Sequence, residues 1–83
     1  MAGTVQSDSY RAVISTLVDV RTEAALSQAG LARLIGKPPS FVGKYELGER
    51  RLDIVELMVI LRALEIEFEK FWGRADVELP GQL

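Results

Sequence analysis

Residues Leu26–Leu57 read LSQAGLARLIGKPPSFVGKYELGERRLDIVEL, and two short helices with a glycine between them can be traced through this stretch. Ser27 is a good N-cap for the first, which covers roughly Gln28 to Ile35 with Leu31, Ala32 and Ile35 on its inner stripe. Gly36 can take the left-handed conformation that closes such a helix at little steric cost. Pro38-Pro39 then fixes the entry to the second helix, Pro39 fitting its first position, where no N–H is needed. Val42 and Tyr45 turn inward along it, while Ser40, Phe41, Gly43 and Lys44 point outward or sideways, and Gly48 stops it. Two helices of about seven residues cannot form a domain alone. They are the right size to pack together and carry the second into a DNA major groove.

The flanking residues supply the rest of a domain. Upstream, Ser7 or Ser9 can cap a helix whose Tyr10, Val13, Ile14, Leu17 and Ala24 share one face, ending near Ala25. Downstream, Asp53 with Glu56 three residues on predicts a capping box. The helix it opens has Ile54, Leu57, Met58, Leu61 and Leu64 as its core stripe, yet Val55, Val59 and Ile60 make it apolar on other sides too. A last helix at about Glu67 to Gly73 brings Phe68, Phe71 and Trp72. The expected organisation is a flexible N-terminus over residues 1–8, a helical domain over 9–73 and a frayed tail over 74–83 containing Pro80-Gly81. Five short helices with brief connections make an all-α bundle.

Composition narrows the chemistry. The 83 residues contain no cysteine, so disulfides, thiolate metal sites and a cysteine nucleophile are excluded. They contain no histidine either, which removes the commonest general base and metal ligand. An enzyme is therefore not expected, and neither is a metal or other cofactor. The longest apolar run, Leu57 to Leu61, is far short of the about 20 residues of a membrane span. The first residues lack a basic region followed by an apolar one, so no signal peptide is expected and a cytoplasmic location is.

Net charge is −2, but its distribution is uneven. Between Arg33 and Arg51 five basic residues (Arg33, Lys37, Lys44, Arg50, Arg51) face two acidic ones, a local charge of +3. From Leu52 onward seven acidic residues face three basic ones. One basic surface on an acidic body suits a molecule that approaches phosphate from one side.

Leu26-Ser27-Gln28 with Leu31-Ala32, Ile35-Gly36, Val42, Tyr45-Glu46 and Gly48 resembles the lambda-repressor/Cro-like helix-turn-helix family, also called the XRE family. Glu49 to Asp53, the Glu56-Leu57 pair, Ala63-Leu64, Ile66 and Phe68 through Trp72 extend the match, which covers about Tyr10 to Gly73. The resemblance implies a compact five-helix lambda-repressor-like bundle. It also implies a repressor-like, sequence-specific regulator of bacterial or phage type, nucleoid-associated, that binds a palindromic operator in double-stranded DNA as a homodimer. Gln28 sits where the family binds a phosphate, and Pro39, Ser40, Phe41, Gly43 and Lys44 sit where it reads base edges or grips the adjoining backbone. Pro39 stands where members often carry glutamine or arginine, Lys37 where the residue is often apolar, and Ala25 where it is often glycine.

Base readout would then rest on a hydroxyl, an aromatic edge and a lysine, with part of the specificity left to DNA shape or a helper protein. Phe41 either touches a thymine methyl or covers the hydrophobic edge of the domain. Lys37, Arg50 and Arg51 are charges near phosphate, with a pairing of Arg50 or Arg51 to Glu46 as the alternative. Val55, Val59, Phe71 and Trp72 are either core or a dimer seam, because a chain this small can hardly bury them all. The alternative function is a protein-interaction module on the same scaffold, such as the antitoxin of a toxin pair or an adaptor.

Overall fold

The computed structural model describes residues 7–83, so the expected flexible N-terminus over residues 1–8 lies mostly outside the described residues, and α1 already begins within it at Asp8. Five helices follow in order: α1 Asp8–Glu23, α2 Gln28–Leu34, α3 Ser40–Glu46, α4 Ile54–Ala63 and α5 Phe68–Ala75. No strand occurs among the described residues.

Local chemistry sets most of the boundaries. The Ser7, Ser27 and Asp53 side chains each accept from a backbone N–H in the first turn of α1, α2 and α4. Ser7, not Ser9, caps α1; the Ser9 hydroxyl donates to the Glu78 carbonyl instead. Asp53 and Glu56 close the reciprocal capping box.

At the C-termini of α1 to α4 one pattern repeats. Two N–H groups fold back on the last turn, as in Leu26 to Arg21 O and Ala25 to Thr22 O, around a residue with positive φ. That residue is Gly36 after α2 (φ 74°) and Gly48 after α3 (φ 83°), but Ala25 after α1 (φ 60°) and Glu65 after α4 (φ 58°). Hence α1 stops at Glu23, two residues before its expected end, while α5 runs on to Ala75, two residues beyond.

The core joins all five helices. Leu17, Leu31, Val42, Tyr45, Ile60, Leu61 and Phe71 are essentially sealed from solvent. By contact, α1 packs on α3 and α5, α2 lies along α3 and against α4, and α4 meets α5. Val42 and Tyr45 are core as expected.

Four expectations are corrected. Phe71 is fully buried within this chain, so it is core and offers nothing to a dimer seam. Phe41 turns inward and is 8% exposed. On α4 the buried face carries Leu57, Ile60 and Leu61, leaving Ile54 and Met58 exposed beside Val55 and Val59. Ala24 is exposed, and Val20 takes its place in the core. The α4 difference has a simple origin: a helix apolar all round gives no phase, so its neighbours choose the buried side.

Candidate nucleic-acid interface

The interface is built on the α2–α3 pair. Lys37 donates its N–H to the Ala32 carbonyl across the Gly36 turn, which makes a sharp corner. Beyond it Pro39 takes a helical conformation just ahead of α3. Sealing Val42 and Tyr45 into the core leaves Ser40 and Lys44 open to water on the opposite side of α3. Arg33, Lys37 and Lys44 make no ion pair among the described residues, although the Lys37 charge is felt by the nearby Glu56 carboxylate.

Two polar clusters hold α3. At its C-terminal end Glu46 receives the Arg21 guanidinium in a two-pronged contact, Nε to Oε2 at 2.7 Å and Nη2 to Oε1 at 3.1 Å. Arg21 Nη1 also donates to the Leu26 carbonyl at 2.8 Å. Gln28 Nε2 completes the cluster by donating to Glu46 Oε1 at 2.8 Å. Both charged side chains are nearly buried, at 11% and 8% exposure, and the hydrogen bond that Arg21 donates to Glu46 raises the Arg21 pKa further. The last turn of α1, the first of α2 and the last of α3 thus share one carboxylate. Gly43 makes room for this arrangement: a Cβ there would lie 3.2 Å from Gln28 Oε1. Gln28 is therefore exposed at the start of α2 with its amide nitrogen tied to Glu46. Beside this cluster, burial pushes the Tyr45 phenol pKa up, and its hydroxyl has no hydrogen-bond partner among the described residues.

At the other end, Arg50 makes a fork to Glu56, Nη1 to Oε1 at 2.9 Å and Nη2 to Oε2 at 2.6 Å. Its Nη1 also donates to the Arg51 carbonyl. The guanidinium lies 4.7 Å from the centre of the Phe41 ring, and Lys37 Nζ lies 5.3 Å from it. Glu56 in turn accepts from the Asp53 N–H at 3.0 Å. The Arg50 hydrogen bonds, then that backbone bond, hold its pKa down at about 2. Arg51 stacks 4.2 Å over the Tyr10 ring, whose hydroxyl accepts from the Leu52 N–H.

From the sequence, Glu46 is set against Arg50 or Arg51. The structure gives Glu46 to Arg21 and Gln28, nearly buried, and gives Arg50 to Glu56. A signal for Arg21 was available, since it continues the Ile14–Leu17 stripe at helical spacing and a charge on a buried stripe demands a partner. Of the residues offered for a dimer seam, Val55 (67%) and Val59 (43%) are exposed, and Trp72 is half-buried and stacked on Phe68.

Among the described residues no group of three or more acidic side chains could hold a metal ion, and no helix is long and apolar enough to cross a membrane. A family model described as helix-turn-helix matches residues 17–71. The XRE-family like protein from Pseudomonas syringae pv. tomato str. DC3000 is similar in structure, with a TM-score of 0.76 and 34% sequence identity. That similarity covers 82% of this chain and 83% of the Pseudomonas chain. No curated protein matches this chain in sequence. With two thirds of its residues under the family model and the five-helix architecture in place, the chain belongs to the XRE family of helix-turn-helix proteins, which are DNA-binding regulators.

Proposed function

We propose that the protein is a sequence-specific, repressor-like regulator of bacterial or phage type that binds a palindromic operator as a homodimer, α3 entering the major groove. The observation that carries this reading is the two-sided character of α3. Val42 and Tyr45 anchor one side, and Ser40 and Lys44 stand exposed on the other, in a stretch carrying a local charge of +3. Ser40 and Lys44 supply base-edge or phosphate contacts, Pro39 and Gly43 allow close approach of the backbone, and Phe41 lies behind them. Gln28, Lys37 and Arg51 lie near phosphates. With no arginine or glutamine at the start of α3, hydrogen-bonding readout is sparse, and DNA shape contributes to the choice of site.

The dimer seam rests on α4, where Ile54, Val55, Met58 and Val59 form a continuous exposed apolar stripe that water disfavours. Selection of bound duplexes from a random pool tests the whole reading. The expected result is a two-fold-related pair of half-sites about one helical turn apart. Affinity for the enriched duplex should fall steeply with salt, and Lys44→Ala should flatten the log–log slope by about 0.9. No enrichment at low salt by folded protein overturns the reading. Enrichment of a lone half-site by a monomer removes the dimer and returns the α4 stripe to a different protein partner.

A further inference from the structure

Arg50 looks from the sequence like one more phosphate contact, but its surroundings assign it a different task. We propose that Arg50 is a positioning residue: with Glu56 and Phe41 it forms a clamp that fixes the recognition helix α3 against the start of α4. This rests on the reading of α3 as the DNA-contacting helix.

Most donors of Arg50 are already committed. Three of its five N–H groups bond to Glu56 and to the Arg51 carbonyl, so only the remaining two could meet a phosphate while the fork stays closed. The central carbon of the guanidinium lies over the ring of Phe41, which is 8% exposed and meets the buried Tyr45 edge-on at 5.8 Å. At the other end Glu56 is not a loose surface acid. Its Oε1 accepts from the Asp53 N–H while the Asp53 side chain accepts from the Glu56 N–H, which ties the carboxylate to the first turn of α4. A continuous path of contacts therefore runs from α4 through Glu56, Arg50 and Phe41 into the buried side of α3. An Arg–Glu pair of no net charge adds little to the attraction for DNA. Its contribution is the placement of the helix that carries Ser40 and Lys44.

Removing the negative charge of Glu56 separates the two roles by sign. Binding of the duplex enriched by selection, and of a mixed-sequence duplex, would be followed by fluorescence anisotropy across a salt series for the full chain. Glutamine at position 56 can still accept from the Asp53 N–H, so the cap survives and only the ion pair is lost. For Glu56→Gln the clamp predicts binding to the enriched duplex about five- to tenfold weaker, with an unchanged salt slope. Arg50→Lys, which keeps the charge but not the fork, should lose about as much, and the double variant no more than either single one.

A phosphate-contacting Arg50 predicts the reverse. Glu56→Gln would then bind more tightly with a steeper slope, Arg50→Lys would bind like the wild type, and Arg50→Gln would flatten the slope as Lys44→Ala does. Any of these overturns the clamp while leaving the regulator reading intact. Failure of the wild type to bind either duplex overturns both.

Discussion

Both ends of α3 are held by an arginine–carboxylate fork, yet the two forks sit in different media. Arg21–Glu46 is nearly closed to solvent and draws α1, α2 and α3 onto one carboxylate. Arg50–Glu56 lies at the rim, with 39% and 22% of its side chains exposed, and joins a loop to α4 over an aromatic ring. The same fork geometry therefore means different things in the two places. In the interior, losing one partner strands a charge in a region of low polarity; at the rim, water takes over the orphaned group. The interior fork serves the fold, whereas the rim fork serves the exact standing of one helix.

Glu46→Ala is the most severe way to break that contrast. It leaves the Arg21 guanidinium buried without its anion and frees Gln28, so unfolding in urea should show a loss of about 3–5 kcal/mol. That is a large share of the stability of a small domain, and melting should fall by at least about 12 °C. A loss below about 1 kcal/mol would show that the interior fork is no more costly to break than a surface pair.

Ala25→Gly sharpens the interior side from the opposite direction. Ala25 holds φ 60° in the turn whose Leu26 carbonyl accepts from Arg21, and a Cβ is disfavoured in that conformation. Glycine there relieves strain but adds freedom to the unfolded chain, for a net gain of about 0.5–1 kcal/mol in the same urea assay. A destabilised variant would refute the strain at this turn.

The parts of the molecule that were legible in the sequence share one property: they are local. Ser27, the Asp53–Glu56 box, Gly36 and Gly48 each signal a helix end through residues within a few positions, and Val42 with Tyr45 marks a buried face by spacing alone. The exposure of Ser40 and Lys44 follows from that face.

What was not legible depends on distant neighbours. Arg21 and Glu46 are 25 positions apart, so no helical period links them, and Glu46 was set against the nearer arginines instead. Phe41 adjoins Val42 and precedes Tyr45 by four, which leaves its direction open until Arg50 and α4 are in place. On α4, Ile54 and Met58 read as core stripe and Ile60 as an apolar residue off it; the packing of α2 and α5 buries Ile60 and leaves the other two exposed.

Acid sharpens the comparison at the rim. Glu56 titrates at about 2 when folded, below the ordinary carboxylate value of 4.5, so its stabilising effect is complete above that ordinary value. It is lost as pH falls from 4.5 towards 2, because the unfolded chain takes up the proton first. In stability measured against pH, Glu56→Gln should remove that part of the acid slope. At neutral pH the same substitution should cost about 1 kcal/mol or less, and less still in 1 M salt, since a rim pair is screened. An unchanged acid limb would place the titration elsewhere.

Tyr45 lies between the two forks, next to Glu46 in sequence and edge-on to Phe41, and it asks whether the space between them is dry. Its ring is sealed in the core, and its hydroxyl meets no acceptor among the described residues. A buried hydroxyl without a partner contributes nothing that phenylalanine would forfeit except a few contacts of one oxygen atom. Tyr45→Phe should therefore leave stability within about 0.5 kcal/mol of the wild type, any shift being favourable, and should leave DNA affinity unchanged. A loss of more than about 1 kcal/mol would mean that the phenol makes a hydrogen bond in solution. The interior fork would then be wetter, and more like the rim, than its burial implies.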